Sequence, residues 1–278
     1  MGTCIVISAG GFAGEKIVPG PEDLVIAADA GFRKAKSILR EGDLVVGDFD
    51  SLAEAGAKAV SELEKWEEAH PASVIRLPAE KDDTDTMAAV KIGLERGYHT
   101  FALYGMLGGD RLDHTLANLQ TLLYLKNHHA NGTIRGDGET WLILKDEGIC
   151  LRSDKDCRLS VFSVSPESQG VMIRGCRYEM THGRLTALGA LPTTIKTAGA
   201  TAVQQVTVAN VFWLALHGLT APKGNHQQSY VVAITRPRTS GLLTSTARNS
   251  PPSGSMLQPH LTTTTSSTAK AGKHGITD

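Results

Sequence analysis

Four stretches put charged and small polar residues where an apolar run stops. LVIAA runs into Asp29 and Gly31 of DAGFRKA, and DLVVG runs into Asp48 and Asp50 of DFDS. VIRLPAE leads into KDDTDTMAA, which holds Lys81, Asp82, Thr84 and Asp85. FALYGML leads through Gly108 and Gly109 into DRLDHTLANL, with Arg111, Asp113 and His114. Each aspartate alone could be an ordinary helix cap or a partner for the positive end of a helix dipole. Four clusters at equivalent places point instead to one shared site, because loops at the carboxyl ends of strands in an open α/β sheet converge on one crevice.

If Asp29, Asp48, Asp50, Asp82 and Asp85 meet there, each close pair repels by about 1–4 kcal/mol at effective dielectrics between those of water and a protein surface. A cation must offset this. Carboxylate oxygens without neighbouring His or Cys suit Mg²⁺, which keeps several waters and is commonly shared with substrate phosphates. Asp48 and Asp50 are the simplest perch for it. Lys81 offers phosphate a point charge and Arg111 a planar fork, while Gly108 and Gly109 let backbone N–H groups come close to it. The set describes phosphoryl or pyrophosphoryl transfer from a nucleotide. The GxxxxGK[ST] loop is missing, so this is not a P-loop enzyme, and GGFAG at 10–14 lacks the GxGxxG spacing and reads as a turn.

The elements that must position these residues follow from hydrophobic rhythm. TCIVI, LVIAA, DLVVG, ASVIRL and TFALY read as buried strands. Between and after them Leu52, Ala55, Ala59, Leu63 and Trp66, then Met87, Val90 and Leu94, then Leu116, Leu119 and Leu123 recur at helical spacing. The fold class is α/β, a mainly parallel Rossmann-like sheet with helices on both faces. From Asn131 shorter strand-like pieces separated by turn residues predict an antiparallel β-sandwich, incomplete if its last strands are missing. The expected division is 1–130 for the α/β nucleotide-binding domain, 131–238 for the β domain and 239–278 for a disordered Ser/Thr-rich tail.

Composition excludes several classes. The 278 residues carry a formal charge of −1, with 41% hydrophobic residues, so no global field recruits nucleic acid or an anionic membrane. No run approaches the length of a membrane span and the start lacks signal-peptide character, which predicts a cytoplasmic protein. Cys4, Cys150, Cys157 and Cys176 form no CxxC pair and read as buried thiols.

ADAG, GDFDS, KDDTD and GGDRLDHTLANLQTL, in that order, resemble the thiamine pyrophosphokinase (thiamine diphosphokinase) family in its bacterial form, from about Ile5 to Ala187. The resemblance implies a homodimer with an ATP-binding α/β domain, a β-sandwich, and thiamine held in a cleft that includes the partner subunit. It implies pyrophosphoryl transfer from ATP to the thiamine hydroxyl with release of AMP. Carried over residue by residue, Asp48, Asp50 and Asp82 or Asp85 hold Mg²⁺. Asp29, Lys81, Thr84, Gly108, Gly109, Arg111 and Asp113 contact or orient the nucleotide, and His114 stands near the transferring group or merely opens its helix.

Beyond GCRYEMTHGRLTAL the likeness stops. The GxSNE-like segment and closing apolar strand of the family are replaced by LPTTIKTAGATAVQQ and VANVFWLALHGL, and no acidic residue lies between Met180 and Thr277. A change of reading frame near Leu188–Leu191 would produce this shift. It would leave unpaired edges in the β domain unless 203–218 supplies a short amphipathic helix or a replacement strand. Two other functions compete. One is a different Mg²⁺-dependent phosphotransferase or phosphatase of the DxD type, which Leu52 after DFDS fits poorly; the other is a nucleotide-binding remnant whose substrate half is altered.

Overall fold

The computed structural model describes residues 2–11, 16–108, 112–136, 138–153, 157–174, 178–186, 190–195 and 202–217. Gly109, Arg111, Cys176 and the expected tail at 239–278 lie outside the described residues. Strands β1 (Cys4–Ile7), β2 (Leu24–Ala28), β3 (Leu44–Gly47), β4 (Val74–Arg76), β5 (Thr100–Tyr104) and β6 (Asn131–Gly136) form a parallel sheet in the order β6-β5-β1-β2-β3-β4. The five apolar runs of the sequence are the first five of these strands.

Every residue of β1, β2 and β3 is buried, which is why these runs are apolar throughout rather than alternating. The period of two still sorts them between faces. Cys4, Val6, Ile26 and Val46 pack with Ala89 and Val90 of α4 (Asp85–Glu95) and with Leu119, Leu122 and Leu125 of α5 (Leu112–Asn127). Ile5, Ile7, Val25 and Val45 pack on the other face with Phe32 and Ala35 of α1 (Phe32–Ala35), Leu52 of α2 (Asp50–Glu54), and Ala59 and Leu63 of α3 (Ala57–Ala69). The periodic stretch from Leu52 to Trp66 is thus two helices, broken at Gly56, whose φ of 111° no helix accommodates.

The strand order reverses at β1, which lies between β2 and β5. This is the topological switch point of the sheet. Pairing continues past the strands there, with the Ser8 amide donating to the Tyr104 carbonyl at 2.8 Å and the Gly10 amide to the Gly105 carbonyl at 2.9 Å. Gly105 has a φ of 68°, and a Cβ on it would lie 2.2 Å from the Ser8 carbonyl oxygen.

An antiparallel part is present, but it starts at Glu139 rather than at the expected Asn131, because β6 pairs parallel with β5 and completes the parallel sheet. Strand β7 (Glu139–Ser153) joins β6 antiparallel, so this part is hydrogen-bonded to the parallel sheet through the β6–β7 edge. It continues with β8 (Cys157–Ser163), β9 (Glu167–Ile173), β10 (Met180–Thr186), β11 (Ala190–Ile195) and β12 (Ala202–His217). The atypical segment takes the form of a replacement strand, as β12 pairs with β7 from Ala202↔Ser153 to His217↔Glu139. Its other edge is shared between β9 at Val206–Thr207 and β8 at Phe212–His217, where the sheet divides. Cys4 is buried, as expected of it; the side chains of Cys150 and Cys157 lie outside the described residues.

Gly105→Ala combines a left-handed backbone with a clash against main chain, so it destabilises the protein by more than about 2 kcal/mol. Gly42→Ala, at a φ of 90° with open space around it, costs only the backbone penalty of about 1 kcal/mol. Urea unfolding of the two variants measures the difference, and equal losses would remove the packing argument.

Candidate active site

Three of the four polar clusters are joined by direct contacts. Asp29 follows β2 with a φ of 47°, and Phe49, between Asp48 and Asp50 after β3, has a φ of 65°. A non-glycine residue in this region costs on the order of 1–3 kcal/mol and persists only where its surroundings fix it. Phe49 is fixed by burial of its ring in the core, and the Arg76 guanidinium lies 5.2 Å from the ring centroid. The left-handed step turns the chain between two aspartates, so that the Asp50 amide donates to Asp48 Oδ1 at 3.4 Å. Gly47 completes the approach, since a Cβ there would lie 3.0 Å from the Cα of Asp29.

As a result one carboxylate oxygen each from Asp29, Asp48 and Asp50 lies within 4.8 Å of the others. Asp29 is buried, at 7% exposure, and its Oδ1 has no hydrogen-bond partner among the described residues. A buried carboxylate oxygen without a donor is unfavourable unless a cation completes it. With oxygen donors alone, the triplet fits a hard divalent ion such as Mg²⁺.

Lys81 joins the third cluster to the second. Its ammonium pairs with Asp48 Oδ2, lies 3.2 Å from Asp85 Oδ1 and donates to the Pro78 carbonyl at 3.2 Å. The contact with Asp85 is an ion pair without hydrogen-bond alignment, for Asp85 Oδ1 has no hydrogen-bond partner among the described residues. Asp82 is exposed and outside the carboxylate triplet. Thr84 is exposed and caps α4, its Oγ1 accepting from the Met87 amide at 3.1 Å. In the fourth cluster Gly108 has a φ of 74° and is exposed, as are Asp113 and His114 in the first turn of α5. Asn118 ties that helix to the loop after β5, donating to the Met106 carbonyl at 2.8 Å.

The structure adds two residues that the sequence reading passed over. Ser8, at the end of β1, shares a 2.7 Å hydrogen bond with Thr86, the neighbour of Asp85, and both are buried. That bond pins the start of α4 to the switch point. The signal was available, because Ser8 follows CIVI as Asp29 follows LVIAA. Asp29, read both as one of the converging aspartates and as a nucleotide contact, lies in the carboxylate triplet beside Asp48 and Asp50.

Residues 20–134 match the family model described as "Thiamin pyrophosphokinase, catalytic domain". This span is a thiamin pyrophosphokinase catalytic domain. It encloses Asp29, Asp48, Asp50, Lys81 and Asp85. Among solved structures the chain is similar to a thiamin pyrophosphokinase family protein from Enterococcus faecalis, with a TM-score of 0.64 and 22% identity over 77% of this chain and 98% of that one. It is similar to thiamine pyrophosphokinase from Bacillus subtilis, with a TM-score of 0.62 and 17% identity over 79% and 100%. The yeast enzyme has a TM-score of 0.57 and 12% identity over 78% and 86%. At these identities the likeness is one of fold. No curated protein sequence matches the chain.

The electrostatics of this catalytic domain divide its aspartates. The hydrogen bond from Lys81 holds Asp48 below the usual carboxylate range, against the opposing effect of burial. Burial pushes Asp29 up, with the charges of Asp85 and Asp50 adding to it against relief from Ser51 and the Ala30 amide. Burial likewise pushes Asp85 up, opposed by Lys81. Lys81 is pulled down by burial, yet its hydrogen bond to Asp48 and the negative charges of Asp48 and Asp85 outweigh this and leave it raised.

The sequence alone suggests that removing Asp48 relieves repulsion and stabilises the metal-free protein. The pairing with Lys81 reverses this, and the relief belongs to Asp29 instead. Asp48 contributes stability that is present above its unfolded value of 3.8 and is lost as pH falls through its lower folded value. The penalty on Asp29 is full above its raised folded value and vanishes as pH falls toward 3.8. Without divalent metal at neutral pH, Asp29→Asn therefore raises the melting temperature, by an amount on the order of 1 kcal/mol of stability, and Asp48→Asn lowers it. The gain from Asp29→Asn shrinks as the solution is acidified toward pH 4. Thermal melts across that range check both signs.

Proposed function

We propose that the protein is a thiamine diphosphokinase working with ATP and Mg²⁺, the carboxylate triplet of Asp29, Asp48 and Asp50 carrying the metal. The observation that carries this reading is the enclosure of the triplet within a thiamin pyrophosphokinase catalytic domain. The thiamine hydroxyl oxygen bonds to the β-phosphorus of ATP while the bond from that phosphorus to the α,β-bridging oxygen breaks. AMP leaves with the bridging oxygen, and the hydroxyl proton passes to solvent or to a carboxylate of the cluster. Such transfers depend on alignment and charge neutralisation rather than on a strong base. When bound, Mg²⁺ supplies charge to the phosphate oxygens and helps hold them in line.

The chain's own residues do the rest. Asp29, Asp48 and Asp50 hold the ion, Lys81 and Arg111 take phosphate oxygens, and Gly108 and Gly109 offer amides. Asp85 keeps Lys81 in position, Asp113 orients the nucleotide, and His114 stands beside the transferring group. In this reading 1–130 binds the nucleotide, 131–238 contributes to the thiamine cleft, and a homodimer in the cytoplasm completes that cleft.

The purified protein is expected to form AMP from ATP only when Mg²⁺ and thiamine are both present. Asp48→Asn should lower the rate by about 100-fold or more, as loss of a preorganised electrostatic contact does, with only a small fall in melting temperature. Phosphate release without thiamine would favour a phosphatase, and nucleotide binding without turnover would favour a remnant.

A further inference from the structure

Asp48 belongs to two groups of charges at once. It is one of the three carboxylates that converge on the metal position, and it is the main partner of the Lys81 ammonium. Lys81 is largely enclosed, with a side-chain exposure of 15%, and its ammonium meets three oxygens, of Asp48, Asp85 and the Pro78 carbonyl. The Asp48 and Pro78 oxygens accept from the ammonium, and Asp85 Oδ1 stands beside it as a second negative charge. Asp29 Oδ1, buried in the same cluster, has no donor among the described residues. The cluster therefore already holds one cation of its own, on a flexible four-carbon stem, placed against the acid that a metal must also use.

We infer that Lys81 is a built-in counter-cation that competes with the divalent ion for Asp48, so that metal and nucleotide load together. This inference rests on the proposed function and deepens it. A divalent ion entering alone meets the ammonium at short range, and the two cations repel, so Asp48 must be shared or surrendered. A polyphosphate brings several negative oxygens, which give the ammonium an alternative partner and free Asp48. The metal-free protein keeps its carboxylates assembled, and free metal is held weakly until a nucleotide arrives. A merely structural lysine predicts the opposite sign, because its loss would loosen the cluster and weaken metal binding.

Mn²⁺ binding to the full-length protein, followed by electron paramagnetic resonance at neutral pH, separates these cases. In the absence of nucleotide, Lys81→Met should bind Mn²⁺ about tenfold or more tightly than the unaltered protein, as removal of a nearby like charge requires. Addition of ADP should tighten Mn²⁺ binding strongly in the unaltered protein and much less in Lys81→Met. Equal or weaker binding of Mn²⁺ alone by the variant overturns the competition while leaving the metal reading intact. No Mn²⁺ binding by either protein, with or without ADP, overturns both. Should Lys81→Met fail to fold, the ¹⁵Nζ resonance of Lys81 in the unaltered protein answers the same question. It is expected to change little with Mg²⁺ alone and to shift when Mg²⁺ and ADP are added together, and a full shift with Mg²⁺ alone would refute the exchange.

Discussion

Negative charges from separate loops held in one small volume are the constraint on which the rest of the structure depends. Asp29, Asp48 and Asp50 come within 4.8 Å of one another, and Asp85 is tied to them through Lys81. Left to themselves these side chains would spread into solvent. The sheet prevents this, because each aspartate stands one or a few residues beyond a strand or at the first turn of a helix whose body is locked in the core. Repulsion at the site is thus opposed by burial elsewhere, a distribution in which an enzyme holds unfavourable charge where chemistry needs it.

Backbone strain follows the same division. The left-handed residues Asp29 and Phe49 lie at the ends of β2 and β3, next to the carboxylates. Phe49 holds its conformation through a buried aromatic ring, and Gly47 removes the one side chain that would keep Asp29 at a distance. Ser8 and Thr86 join the start of α4 to the switch point, so the helix that carries Asp85 is anchored near its acidic end. The precision of the site derives from packing a few residues away from it.

The antiparallel part obeys a different logic. Its central strand is β12, from the segment where the sequence loses its acidic residues and its likeness to the thiamine pyrophosphokinase pattern. A strand needs only extended backbone, β-branched or aromatic residues and free edges to pair with. AVQQVTVANVFWLALH meets that requirement without the family's own closing sequence. Backbone pairing tolerates such a replacement more readily than a ligand cleft does.

The sequence by itself determined the strands, the helices on both faces and the four polar clusters. Fully buried parallel strands must be apolar along their whole length, and their ends must be polar where loops meet water. It also placed Asp48 and Asp50 together, since residues two apart across a tight turn have little choice. Tertiary structure alone decided which further charges join them. Asp29 is 19 positions from Asp48 and Lys81 is 33 positions away on the other side, and their meeting depends on neighbouring parallel strands stopping at the same level. The sign of each aspartate's effect on stability was hidden for the same reason: repulsion is read from the number of charges, whereas relief requires knowing that the Lys81 ammonium reaches Asp48 and that no donor among the described residues reaches Asp29 Oδ1.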